Sequence, residues 1–258
     1  MNSSFPTFIL GILLLVFLFI PAPVNAQQSQ FDQANELMQD YLIEEAFDIY
    51  RSIESDGYQS GELYFNMALA AFYQDSLGLS KFYLLQAEKF DGTKTDAQQT
   101  LQFVNEQFDR RSAVLPKLPW VLFFDWLEKF AGQGLLSFFG LVILNLGVGA
   151  IIGSWFIAQG SVYLKWTGYT MTVFSLILIF CTFYLNYLDN RYATGVMIEN
   201  QTVVYEHPRS GSALISNVYE GYTMSVDRHR SSEQDGWYYV RLENGMYGWI
   251  EDGYIRYF

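Results

Sequence analysis

The spacing of hydrophobic positions changes several times along the chain, and each change marks a different kind of element. Residues 1–26, MNSSFPTFILGILLLVFLFIPAPVNA, hold an unbroken apolar run, then Pro21 and Pro23, then the small-residue end Val24-Asn25-Ala26. That is the layout of an export signal. No Lys or Arg precedes the run, so an uncleaved anchor is the alternative, and either way the next residues are expected outside the cytoplasm. From 27 to 111, Ala34, Leu37 and Met38, then Ala46, Phe47, Ile49, Tyr50 and Ile53 recur at three- and four-residue steps. This is the period of helices with one apolar face. Residues 112–134 contain Pro116 and Pro119, then WVLFFDWLEKFAG, where Trp120, Phe124, Trp126 and Phe130 mix with Asp125, Glu128 and Lys129. The pattern predicts a linker and an interfacial helix: tryptophan favours the headgroup level, and the charges make full insertion costly.

Residues 135–157 and 168–188 are apolar for long enough to cross the hydrocarbon core as helices. Joined by a short loop at 158–167, they predict a transmembrane hairpin whose flanking segments lie on one side of the membrane. Lys165 in the loop and Lys129 and Arg191 outside it balance one another under the positive-inside rule. The export signal therefore sets the expected orientation, with a cytoplasmic loop, periplasmic flanking modules and an inner-membrane location. Within the first span, Gly149 and Gly153 form G-x-x-x-G, with Gly147 and Asn145 nearby. The motif predicts a close helix crossing, either with the second span or with another protein.

After 194 the period shortens to that of strands: GVMIENQTVVYEHP, SALISNVYEGYTMSVDRH, DGWYYVRLENGMYGWI and GYIRYF fit five short strands. In WYYVRL, Tyr238, Val240 and Leu242 share one face while Trp237, Tyr239 and Arg241 share the other. Trp237 is expected on the open face. Asn244-Gly245 predicts a tight type I′ turn, and Trp249 is expected to be structural, covering one end of a small core.

Two of these modules resemble known families. EEAFDIYRSIESDG (44–57) aligns with GLSKFYLLQAEKFDG (78–92) at a shift of 34 residues, the period of the tetratricopeptide repeat. ELYFNMALAAFYQD is similar to the first helix of that repeat, with Tyr64 at its large aromatic position, Asn66 after it and Ala68 at its small position; Gly92 stands where the family usually has Pro. The resemblance implies paired helices and a protein-binding surface that includes Tyr64, Asn66 and Ala68, with TDAQQTLQFVNEQFDRR (95–111) as the capping helix. Residues 194–258 resemble a bacterial SH3 domain through Gly221, Trp237, Gly245, Gly248 and Trp249 in sequence order. Such barrels bind peptides or cell-wall material on aromatic surfaces, which singles out Tyr205, Tyr222, Trp237 and Tyr239 as candidate ligand-binding residues; packing of the small barrel is the alternative role for these rings. The expected fold class is thus a multidomain membrane protein with an α-helical tetratricopeptide array, a two-helix transmembrane hairpin and a small all-β SH3-like barrel.

The whole order of parts resembles the BatE proteins of the Bacteroides aerotolerance operon, most strongly in QANELMQDYLIEEAFDIYRSI (33–53), ELYFNMALAAFY (62–73) and the C-terminal module. That resemblance implies an envelope complex with membrane proteins that carry von Willebrand A domains and with a MoxR-type ATPase. It implies no known activity.

Charge and chemistry narrow the function classes. The net charge of −12 and the absence of a basic tract speak against nucleic acid as a partner. The single cysteine, Cys181, lies in an apolar run and allows no intramolecular disulfide. The chain has no HExxH, GxSxG, P-loop or G-x-G-x-x-G arrangement, and His207 and His229 have no partner at ligand spacing. Neither an enzyme, a metal nor a cofactor is expected. Glu44, Glu45, Asp48 and Glu54 form a solvated repeat face or a concave surface that selects a basic peptide. His229 between Arg228 and Arg230 marks a solvated loop or a contact with anionic headgroups or wall polymers. Two functions fit. One is a membrane-anchored scaffold, with repeats for a protein partner and a barrel for a peptide or the wall; the other is a peptidoglycan sensor or accessory subunit of a wall hydrolase.

Overall fold

The computed structural model describes residues 24–157 and 160–258. These form two compact units, one ending at Glu106 and one running from Gln107 to Phe258. The export-signal expectation falls largely on residues 1–23, outside the described residues.

The first unit is helical: α1 (Val24–Gln39), α2 (Ile43–Ser55), α3 (Gly61–Tyr73), α4 (Leu77–Ala87) and α5 (Lys94–Gln107), whose last residue crosses the boundary. Helices α1 and α2 pack as one pair and α3 and α4 as another, with α2 also against α3. The second helices of the pairs start at Ile43 and Leu77, which reproduces the 34-residue shift of the sequence. Ala46, Ala68, Ala70 and Ala87 are fully buried where helices meet, and the tyrosines Tyr50, Tyr64 and Tyr83 fill the space the small residues leave. Tyr64 stacks on Tyr83 at 6.3 Å between ring centroids, and Phe47 meets Tyr83 edge-on at 6.1 Å. Ser60 caps α3 by accepting from the Leu63 amide at 3.1 Å. Next to it Gly61 has no room for a side chain, because a Cβ there would lie 2.1 Å from Thr93 Oγ1. One polar knot sits inside: Asn35 Oδ1 accepts from the Tyr50 hydroxyl at 2.6 Å and from Asn66 Nδ2 at 2.8 Å. Burial pushes the Tyr50 hydroxyl pKa up to about 12, partly offset by a hydrogen bond from Asn66.

In the second unit, α6 (Pro119–Gly153) and α7 (Ser161–Arg191) are long and apolar enough to cross a membrane. Pro119 opens α6, where its missing amide costs nothing. Gly132, at φ 61° and ψ 167°, breaks α6 into an aromatic piece before it and an apolar piece after it, the division expected between interfacial helix and span. Helix α7 begins earlier than expected, so residues 161–167 of the predicted loop are helical.

The two helices cross at Gly147 and Gly168: a Cβ on Gly147 would lie 3.0 Å from Gly168 O, and one on Gly168 would lie 2.8 Å from Gly147 O. Gly140, seven residues before Gly147, meets Ile179 in the same way. The close crossing with the second span therefore does not fall at Gly149 and Gly153. Among the described residues outside its own helix, a Cβ on Gly149 would meet nothing within 4 Å, and one on Gly153 only Leu164 at 3.9 Å. A seven-residue period keeps Gly140 and Gly147 on one seam, whereas Gly149 lies two positions round the helix from it. Asn145 donates back to Leu141 O of its own helix and not across the crossing.

The chain ends in one antiparallel sheet of seven strands: β1 (Tyr192–Met197), β2 (Gln201–Tyr205), β3 (Leu214–Tyr219), β4 (Thr223–Asp227), β5 (Trp237–Leu242), β6 (Tyr247–Glu251) and β7 (Ile255–Tyr257), in the order β3-β2-β6-β5-β4-β1-β7. A short helix, α8 (Arg228–Ser231), joins β4 to β5. The expected count of five was low because Glu199-Asn200 and Glu220-Gly221 each turn the chain within a segment that reads as continuous. Ala193, Val204, Val218, Val226, Val240, Ile250 and Ile255, one from each strand, meet in a single core cluster. The sheet must therefore curl round that core. Tyr238 closes it from the side, and burial, together with a hydrogen bond to Asp252, pushes its hydroxyl pKa up to about 12.

Candidate functional site

The β5–β6 hairpin sets which rings face out. Gly245 has a positive φ of 84°, but Asn244 does not, so the type I′ turn expected there does not form. Instead the Gly245 amide donates to Leu242 O at 2.9 Å, the Leu242 amide donates to Met246 O at 2.8 Å, and Asn244 Oδ1 accepts from the Met246 amide. The loop thus has three residues, and β5 pairs with β6 as Tyr239 with Trp249 and Tyr238 with Ile250. A two-residue loop would shift this register by one and turn Trp249 toward the core. Trp249, expected to be structural, instead stands on the outer face with its ring 5.1 Å from Tyr239, while Ile250 is fully buried.

Of the four candidate ligand-binding residues, three share this outer face. Trp237 meets Tyr205 edge-on at 5.8 Å, and Tyr205 pairs with Trp249 across β2 and β6. Tyr239 lies between Trp249 and Tyr247, the latter at 6.3 Å. Tyr222 is separate. It lies in the turn between β3 and β4, half-buried against the core, with its ring edge-on to Tyr219 at 5.7 Å.

Around Tyr222 the sheet carries a stretch of its own chain. Residues 108–115 run without helix or strand beside the β3–β4 and β5–β6 turns. The Phe108 ring lies over Gly221, where a Cβ would come within 2.3 Å of it. The Arg110 guanidinium sits 4.2 Å above the Tyr219 ring, the Tyr222 hydroxyl donates to Arg111 O at 3.3 Å, and the Leu115 amide donates to Glu243 O at 2.9 Å. A ring laid over a glycine backbone, a cation over an aromatic face and main-chain hydrogen bonds are elements by which folded modules hold extended peptides.

A cleft of about 650 Å³ opens between the outer face of β4–β6 and the ends of the long helices. Ser225, Tyr239, Arg241 and Tyr247 line the sheet side; Trp120, Val121 and Phe124 of α6 with Tyr184 and Leu188 of α7 line the other. One ion pair ties the walls together. Arg191, the last residue of α7, donates Nε and Nη2 to Asp227 Oδ2 at 3.2 and 3.0 Å and Nη1 to the Tyr187 hydroxyl at 2.6 Å. Asp227 is almost fully buried and also accepts from the Arg230 amide at 3.1 Å. Removing one partner would leave the other charge buried and alone.

Of the three residues expected to bind protein in the helical unit, two sit inside it. Tyr64 and Ala68 are buried in the packing of the pairs, and Asn66 donates to Asn35. Tyr64 and Ala68 thus serve the packing of the helices, and Asn66 is half-buried. Glu44, Glu45 and Asp48 are exposed, while Glu54 accepts from the Tyr83 hydroxyl at 3.3 Å. Among the described residues, no group of three or more His, Cys, Asp or Glu is placed to hold a metal ion. Trp249, Tyr247, Tyr219 and Arg241 were missed as site residues, although strand parity alone linked Tyr247 to Trp249. No protein-family model matches the chain, and no curated protein is significantly similar to it.

Proposed function

We propose that the chain is a non-enzymatic, membrane-anchored scaffold of an envelope complex, related to the BatE proteins. Its helical pairs act as a short tetratricopeptide array for a protein partner, with other envelope proteins, including those with von Willebrand A domains, as the class of partner. The long helices fix it in the inner membrane, and the C-terminal sheet works as an SH3-like peptide-binding barrel, with both modules in the periplasm. The observation that carries this reading is the seating of residues 108–115 on Tyr219, Gly221, Tyr222 and Glu243: the module already holds an extended segment through chemistry a partner peptide can copy. Titrating residues 192–258 with a synthetic peptide of residues 107–118 tests it. Saturable binding that Tyr219→Ala weakens supports the reading, and no binding overturns it. Alkaline phosphatase fused after Arg111 or Phe258 tests the orientation, with activity expected at both points.

The outer rings Tyr205, Trp237, Tyr239 and Trp249, half-buried against one another on one face, favour a second reading, a peptidoglycan-sensing or hydrolase-accessory role, because adjacent rings on an outer face stack on sugars. Retention of the full-length protein on purified peptidoglycan, lost with Trp237→Ala, would favour it over the scaffold.

A further inference from the structure

The cleft between the sheet and the helix ends holds three guanidinium groups, Arg191, Arg230 and Arg241, and two carboxylates, Asp125 and Asp227. Both carboxylates are engaged, Asp227 by Arg191 and Asp125 by Lys117. Neither Arg230 nor Arg241 forms an ion pair among the described residues. Arg230 lies 4.5 Å above the Tyr239 ring, and Arg241 projects from the same outer face, opposite Tyr247 on β6 and Ser225 on β4. In a chain of net charge −12, two uncompensated guanidinium groups on one wall make a local anion site. The facing wall carries Val121, Phe124 and Leu188 beside Asp125, whose charge is met by Lys117. A free anion would use only the arginines, whereas an anion joined to an apolar body would use both walls.

We propose that this cleft binds the phosphate of an anionic phospholipid, with Arg230 and Arg241 on the phosphate and the lipid body along Val121, Phe124 and Leu188. The position fits: Phe124 precedes the Gly132 break in α6, and Leu188 lies in the last turn of α7, where a helix leaving a bilayer meets the headgroups. The inference rests on the reading that α6 and α7 cross a membrane.

The test uses the full-length protein. Alkaline carbonate extraction of its membranes comes first; release of the chain would overturn the membrane reading and the lipid proposal with it. Retained protein is then purified in detergent and titrated with phosphatidylglycerol or phosphatidylcholine, with bound lipid counted by native mass spectrometry. Phosphatidylglycerol should bind at least tenfold more tightly. Arg230→Gln and Arg241→Gln should each weaken it about tenfold, the worth of one charge-assisted hydrogen bond, and together should erase the preference. Arg51→Gln, which removes a charge from the helical unit, should leave it unchanged. Should the double glutamine variant not fold, Arg230→Lys with Arg241→Lys is used instead, and it should weaken the preference without abolishing it. Equal binding of the two lipids, a preference that survives Arg230→Gln with Arg241→Gln, or one left unchanged by the double lysine variant, overturns the proposal while leaving the membrane reading intact. Displacement by millimolar inorganic phosphate would overturn the lipid source and assign a free-phosphate site.

Discussion

In the helical unit Tyr50, Tyr64 and Tyr83 are 0%, 4% and 0% exposed, and their rings fill the space between helices. In the sheet, by contrast, Trp237, Tyr239, Tyr247 and Trp249 stand off a core of Val, Met, Leu, Ile and Ala. The difference follows from the period. A helix pair has alanine-lined crossings with deep gaps beside them, which a ring fills. A small curled sheet has an interior too narrow for many rings, so alternation sends them outward. Aromatic content by itself therefore says nothing about binding; the face on which a ring stands decides its role. The long helices use both devices, meeting backbone to backbone at Gly147 and Gly168 and ring to ring at Phe124 and Tyr184, 4.7 Å apart.

The largest expected effect comes from Tyr83→Ala, which removes a fully buried ring that touches both Phe47 and Tyr64. It should cost about 3–5 kcal/mol, read as a lowered midpoint in a circular dichroism melt of residues 27–111. Trp249→Ala in residues 192–258 should cost clearly less, about 1 kcal/mol, the size of an ordinary substitution away from a core. Equal losses at the two sites would break the comparison.

Among the glycines, Gly147→Leu should separate α6 from α7 at about 1–3 kcal/mol by overpacking the crossing, whereas Gly149→Leu should be silent. Denaturant unfolding of the detergent-solubilised protein reads both, and a silent Gly147→Leu would remove the seam proposed at Gly147 and Gly168. A smaller gain is expected at Ser80, which is buried with no hydrogen-bond partner for its Oγ among the described residues. Ser80→Ala should raise the stability of the helical unit by about 1 kcal/mol, because a buried hydroxyl without a partner carries its desolvation cost uncompensated; a loss of stability would show that the hydroxyl has a partner.

The mildest test uses pH. The Tyr50 hydroxyl is raised from 10.0 to about 12 in the folded chain by burial, so its contribution is fully present below about pH 10 and is lost as pH rises through about 12. Melts of the helical unit across this window should fall more steeply for the native chain than for Tyr50→Phe. Parallel curves would mean that the hydroxyl is not held inside.

Local chemistry was enough to lay out the chain. Periods of three to four, two, or none mark which segments are helical, stranded or long and apolar, and a 34-residue shift places the paired helices, because each of these signals is read from neighbours in sequence. The change from a charged aromatic helix to a mainly apolar one near residue 134 is legible in composition, while the kink itself falls at Gly132. What lay beyond reach was set by contacts between distant residues. A loop of three residues in place of two at 243–245 turned Trp249 outward, since side-chain parity in a strand depends on register, and register is fixed by how the loop closes. The crossing fell on Gly147 in place of Gly149 because only docking against α7 selects which face of α6 is the seam. Arg191, Arg230 and Arg241 are drawn from a stretch of chain that runs 50 positions from the first to the last, and only the folding of the sheet back onto the helix ends gathers them around one cleft, with Asp227 taking the first and the other two forming no ion pair among the described residues.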